Sequence, residues 1–178
     1  MLAYTLVLFA IAVRLFSGLG YVGTMGFVPL GAALLFFGSR LSPKHFLAPL
    51  VLLMLTDVYL TTQRYGMAVS WDQGLDWAWY LVAFFIGSLL KDRVKPLYVA
   101  GAALGSALSF FIVSNFGVWL AGMLYPHTLA GLGACYVAAI PFFERGLASD
   151  LIFCAIFFSL PVLYSRLIRS ESASKAAA

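Results

Sequence analysis

LYVAGAALGSALSFFIVSNFGVWLAGMLY, residues 97–125, contains no charged side chain. About 20 apolar residues in a helix cross the hydrocarbon of a bilayer, so this run predicts a membrane span long enough to tilt or to project beyond it. The rest of the chain is built in the same way. Of 178 residues, 63% are apolar, 16% aromatic and only 10% charged, and the mean hydropathy is +0.98. A soluble domain carries roughly 25% charged residues, so a water-facing surface cannot be built from this composition. The expected class is an all-α, polytopic membrane protein folded as a six-transmembrane-helix bundle. A large soluble catalytic domain is excluded by length.

Working outward from residues 97–125, apolar runs between helix breakers place six helices. They run from about Leu2 to Gly20, Val22 to Gly38, Phe46 to Thr62, Leu75 to Leu90, Leu97 to Tyr125 and Leu151 to Leu167. Residues 1–169 thus read as one transmembrane domain, and 170–178, polar and then alanine-rich, as a disordered cytoplasmic tail. Gly18, Gly20, Gly23 and Gly26 mark a tight first turn, and Pro29 falls near the start of the second helix, where a missing N–H costs little. Gly133 to Phe143 is too short for a span and reads as an interfacial or re-entrant segment. The N-terminus lacks a basic region and has Arg14 inside its apolar run, so it reads as the first span rather than a cleaved signal.

Charge orients the bundle. Arg40 and Lys44, Lys91, Arg93 and Lys95, and Arg166, Arg169 and Lys175 all fall on one side of six spans. The opposite side has only Arg64 and Arg145, beside Asp72, Asp76, Glu144 and Asp150. The positive-inside rule then places both termini in the cytoplasm. The net charge of +4 therefore reflects topology and does not point to nucleic acid. Trp71, Trp77, Trp79, Trp119, Tyr65, Tyr125 and Tyr136 collect on the outer side, where an aromatic belt accounts for most of the tryptophans. The same aromatic surface also suits a ligand pocket open to the outside, formed largely by the connection from Pro126 to Ser149.

Two charges lie well inside predicted spans. Arg14 falls about 18 Å along the first helix and Asp57 about 16 Å along the third, so the two are at similar depth with opposite sign. Intramembrane charges are costly and face a partner or a cavity, which predicts an Arg14–Asp57 pair that locks the bundle or contacts a ligand. Near the outer end of the fifth helix, Asn115 and Trp119 stand one turn apart, an amide beside an indole able to hold a polar planar ligand. His127 and Tyr136 complete the candidate substrate pocket. Cys135 and His127 are weak candidates for a soft or borderline metal, without a spacing signature. Gly101, Gly105 and Ser109 form a small-residue stripe that lets another helix approach. Ser149 or Asp150 can cap the sixth helix. Cys154 reads as packing.

No GxxxxGK[ST] phosphate loop and no HExxH occurs in the sequence. His45 and His127 fall in loops near opposite surfaces, so a haem held between helices lacks its ligands. No catalytic residue and no cofactor is assigned, and an enzyme is disfavoured.

The stretches SNFGVW at 114–119, LYPHTLAGLGACYVAAIPFF at 124–143 and GLASDLIF at 146–153, with GFVPLGAALLFFG at 26–38 and LLMLTDVYL at 52–60, resemble a bacterial family of uncharacterised small membrane proteins assigned to transport. That family is distantly similar to the substrate-binding S components of energy-coupling factor (ECF) transporters. The resemblance implies a six-helix bundle and an outward pocket for a vitamin, a vitamin precursor or a metal-containing cofactor. S components that dock a shared transmembrane subunit often carry an Ala-x-x-x-Ala stripe in their first helix. Ala3, Ala10 and Ala12 are not spaced that way, so a solitary transporter stands beside one driven by an ECF-type membrane and ATPase module. The expected function is uptake of a small nutrient from the outside. Two alternatives are a non-transporting accessory or scaffold subunit, with the glycine stripe as partner face, and a small lipid-acting intramembrane enzyme with Asp57 or His127 as base.

Overall fold

The computed structural model describes residues 1–20 and 27–176. The described residues form six α-helices and no strand: α1 (Leu2–Gly18), α2 (Leu30–Arg40), α3 (Leu47–Tyr59), α4 (Gln73–Ser88), α5 (Pro96–Ala121) and α6 (Leu129–Ala176). A 3-10 turn, Pro43–His45, leads into α3, and a π turn, Leu60–Arg64, extends it.

The second helix begins at Leu30, not at Val22. Pro29 is its N-cap, and a proline tolerated there would break a hydrogen bond inside a helix begun at Val22. Gly23 and Gly26 lie outside the described residues. The remaining α2 is 11 residues, about 16 Å long, with every residue from Leu30 to Ser39 buried. It is a core helix, apolar on all sides, and α1, α4, α5 and α6 pack around it. Glycine sets the closest approach. A Cβ at Gly38 would meet the Phe84 carbonyl of α4, and one at Gly87 of α4 would meet the Leu35 backbone of α2. Phe36 and Phe37 fill the flanks, edge-on to Phe158 of α6 and Tyr4 of α1.

The larger correction is at the C-terminal end. Gly133 to Phe143 is not a separate re-entrant segment, and the sixth helix does not start at Leu151, because both belong to one helix from Leu129 to Ala176 with Pro141 and Pro161 inside it. Cys135 and Tyr136 anchor its first turns on α5, and Glu144 and Arg145 sit on an exposed face of the helix rather than in a loop. The tail assigned as disordered from Ser170 is helical through Ala176. At the other end of this hairpin, α5 starts on Pro96 and stops at Gly122, whose φ of 68° is the left-handed conformation of a helix C-terminus.

Two stretches, Pro96–Ala121 and Leu129–Arg166, are long and apolar enough to cross a membrane. The others are shorter than about 30 Å of hydrocarbon requires, and α1 at 17 residues reaches only about 25 Å. The described residues therefore form a six-helix all-α fold with two helices of spanning length, rather than the six spans expected.

Candidate functional site

Three helices converge on Asp57. It sits on α3 and is only 3% exposed, and its Oδ1 lies 2.7 Å from Nη2 of Arg14 on α1. Its Oδ2 accepts hydrogen bonds from Tyr80 Oη at 2.7 Å and Trp77 Nε1 at 3.2 Å, both on α4. A buried carboxylate needs charge and donors together, and here it has both. Nε of Arg14 is buried with no acceptor among the described residues.

Arg14 also faces a cavity of about 390 Å³ where the first turns of α2 and α4 meet the second half of α5 and the first half of α6. Trp79, Tyr80, Phe110, Phe111, Phe142 and Phe143 supply its aromatic walls, and Asp76, Ser114, Asn115 and Asp150 its polar groups. A second cavity of about 340 Å³, lined by Asp57, Thr61, Tyr65 and Gln73, shares Arg14 and Asp76 with the first. Both have the size of small-molecule sites.

Asp150 reaches this region through an unexpected pairing. Its Oδ1 accepts from the Ala32 N–H at 3.1 Å, and the neighbouring Ser149 Oγ donates to the Val28 carbonyl at 3.1 Å. Ser149 and Asp150 were expected to cap α6, but they lie inside that helix and serve the N-terminus of α2 instead. Pro29 has no side chain with which to cap α2, and Asp150 fills that role from another helix. Gly31 leaves room for the carboxylate, since a Cβ there would collide with both oxygens.

The sequence-predicted site residues separate into two groups. Arg14 and Asn115 line the larger cavity, and Asp57 stands behind it through Arg14 and Tyr80. Trp119, His127, Cys135 and Tyr136 do not line it. Trp119 Nε1 donates to the Pro126 carbonyl at 3.0 Å, and His127 Nε2 donates to the Leu120 carbonyl at 3.1 Å. Their rings meet edge-on at 5.5 Å, which closes the turn between α5 and α6. Tyr136 Oη donates to the Ile112 carbonyl at 2.8 Å and the buried Cys135 thiol contacts the Asn115 carbonyl at 3.4 Å, so both fasten α6 to α5. Asn115 itself spends Nδ2 on the Phe111 carbonyl at 2.8 Å. The cavity takes Ala139, Phe142, Phe143, Gly146 and Leu147 from the stretch between Pro126 and Ser149, but none of that stretch's first turns. Cys135 and His127 contact different carbonyls, and no cluster of three or more metal-ligating side chains occurs among the described residues.

Asp76, Trp77, Trp79 and Tyr80 are functional candidates that sequence reasoning missed by assigning the tryptophans to a belt. Trp79 is buried, with Nε1 donating to the Ser106 carbonyl at 3.1 Å. The signal was present, since Asp76, Trp79 and Tyr80 fall at i, i+3 and i+4 on one helix face.

A family model described as DUF6580, a family of unknown function, matches residues 1–172, and the chain belongs to that family. No curated protein and no solved structure matches it significantly.

Proposed function

We propose that this protein is a membrane-embedded binding component for uptake of a small organic nutrient, with the aromatic cavity beside Arg14 as its site. In this reading α5 and α6 cross the inner membrane, the shorter helices complete a six-helix bundle within it, and both termini are cytoplasmic. Large apolar side chains stand exposed on every helix except the buried α2, among them Leu8, Leu55, Phe85, Leu97 and Leu129, and lipid is the solvent such a surface suits. The basic residues Arg40 at the end of α2 and Lys44 before α3, those between α4 and α5, and Arg166, Arg169 and Lys175 toward the C-terminal end of α6 fit the positive-inside pattern.

The observation that carries the reading is the cavity itself, a room of about 390 Å³ with aromatic walls and charged groups brought in from α1, α4 and α6. Packing alone would fill such a space with side chains. Native mass spectrometry of protein extracted gently from its own membrane tests this. A stoichiometric small molecule, lost when Trp79→Ala and Phe111→Ala open the walls, is the expected result. Constant co-purification with another membrane protein and no small molecule would replace it with the accessory-subunit reading. One feature favours that second reading, because a Cβ at Gly101 or Gly105 on α5 would meet nothing within 4 Å, which leaves the small-residue stripe without a helix against it.

A further inference from the structure

We propose that the cavity takes an organic cation, a protonated amine or nitrogen heterocycle carried on a flat ring. The inference rests on the cavity being the binding site and adds the charge and class of its ligand.

The charges that face the cavity do not balance. Among the described residues, Arg14 is the one basic residue lining it, and also the one basic residue lining the second cavity. Its guanidinium is taken up by Asp57 at 2.7 Å. That neutral pair leaves Asp76 and Asp150, and neither has a cation within ion-pair distance among the described residues. Asp150 is 7% exposed, with Oδ1 on the Ala32 N–H and Oδ2 without a donor among the described residues. Asp76 makes no hydrogen bond or ion pair to any described residue, yet it lines both cavities.

An anionic ligand would add negative charge beside carboxylates that already lack a cation, and a neutral one would leave Asp76 and Oδ2 of Asp150 without a partner. A cation answers both. The walls agree with this, because Trp79, Tyr80, Phe110 and Phe111 line the same space and an aromatic face attracts a positive charge as well as a flat ring. One feature opposes it, the N-terminus of α2 at Leu30 and Gly31, which also borders the cavity. Its dipole amounts to about half a positive charge, against two carboxylates, and Asp150 already occupies its Ala32 N–H. The unsatisfied Arg14 Nε is a single donor that a water or a ligand oxygen can meet.

Equilibrium dialysis of the full chain in lipid nanodiscs against three probes with one ring system tests the assignment. Tryptamine is the cation, tryptophol the neutral alcohol and indole-3-propionate the anion. Tryptamine is expected to bind at least about tenfold more tightly than tryptophol, with indole-3-propionate weakest. Asp76→Asn should bring tryptamine to within about twofold of tryptophol, while Asp76→Glu keeps the preference and Asp92→Asn, in the exposed turn before α5, leaves all three unchanged. If Asp76→Asn does not fold, Asp150→Asn replaces it, because its amide oxygen still accepts from Ala32. Equal binding of the cation and the neutral probe, or tighter binding of the anion, overturns the charge assignment and leaves the cavity as a site. Binding of none of the three to folded protein overturns both.

Discussion

Replacing Asp57 with asparagine keeps the shape of the side chain and one acceptor oxygen while removing the charge opposite Arg14. Breaking a buried pair by deleting one partner costs about 3–5 kcal/mol. Arg14 is 32% exposed and faces a cavity, so water can reach the guanidinium left behind, which lowers that figure to about 2 kcal/mol. The bonds from Tyr80 and Trp77 then go to a neutral acceptor instead of a carboxylate, a further loss of about 1 kcal/mol. The sum, about 3 kcal/mol, corresponds to a drop in Tm of about 6–12 °C for a chain of this length. Circular dichroism melts in nanodiscs measure it. Arg14→Met should cost a similar amount, because it strands Asp57 at 3% exposure. The double variant should recover about 2 kcal/mol relative to the sum of the two. Coupling below about 0.5 kcal/mol would refute the reasoning, since the two charges would then stabilise the fold independently.

Three further expectations follow from the same packing. Gly87→Ala places a Cβ against the Leu35 backbone and should destabilise by about 1–3 kcal/mol, whereas Gly101→Ala, in open space on α5, should be neutral or stabilise by about 0.5–1 kcal/mol; paired melts compare them. Asp150→Ala removes the only side-chain acceptor at the start of α2 among the described residues and should cost about 1–2 kcal/mol, with Asp150→Asn recovering most of it. Gly122→Ala forces a side chain into φ 68° and against the His127 ring, so it should cost about 1–2 kcal/mol and speed proteolysis at the turn between α5 and α6.

Much of this fold was legible because apolar runs and breakers are local properties. Pro96 and Gly122 bracket α5 within a few residues of where the sequence places it, and Arg14 and Asp57 pair because a charge inside an apolar helix has few alternatives. The failures are non-local. Gly133 to Phe143 is too short for a span when read alone, but it is part of the helix that runs on past Asp150, fastened to the α5 backbone by hydrogen bonds from Cys135 and Tyr136. Pro29 reads as an early helical residue until the first turn of α2 is seen to take its cap from Asp150, 118 residues away. The cavity lining departs from the residues the sequence singles out for a related reason. Trp119, His127 and Tyr136 are the polar aromatics that sequence reasoning selects, yet a nearby carbonyl satisfies each of them, and this cannot be read from composition.

That distinction also decides which carboxylate beside the cavities is left for function. Asp57 holds three donors from two neighbouring helices, and Asp150 commits one oxygen to the N-terminus of α2, so each has a structural role. Asp76 has neither. Its place in the first turn of α4 lets the helix dipole stabilise its charge by about 0.3–1 kcal/mol, which offsets only part of the cost of half-burying a carboxylate. The structure supplies no donor among the described residues to close that gap, and water in the two cavities it borders, or a ligand that displaces the water, is what remains. Asp76 is therefore the residue at which stability and binding should separate. Its substitution by asparagine is expected to raise Tm slightly by relieving a desolvated charge while abolishing selection for a cation, and a loss of stability comparable to that of Asp57→Asn would instead make it another structural member of the Arg14 cluster.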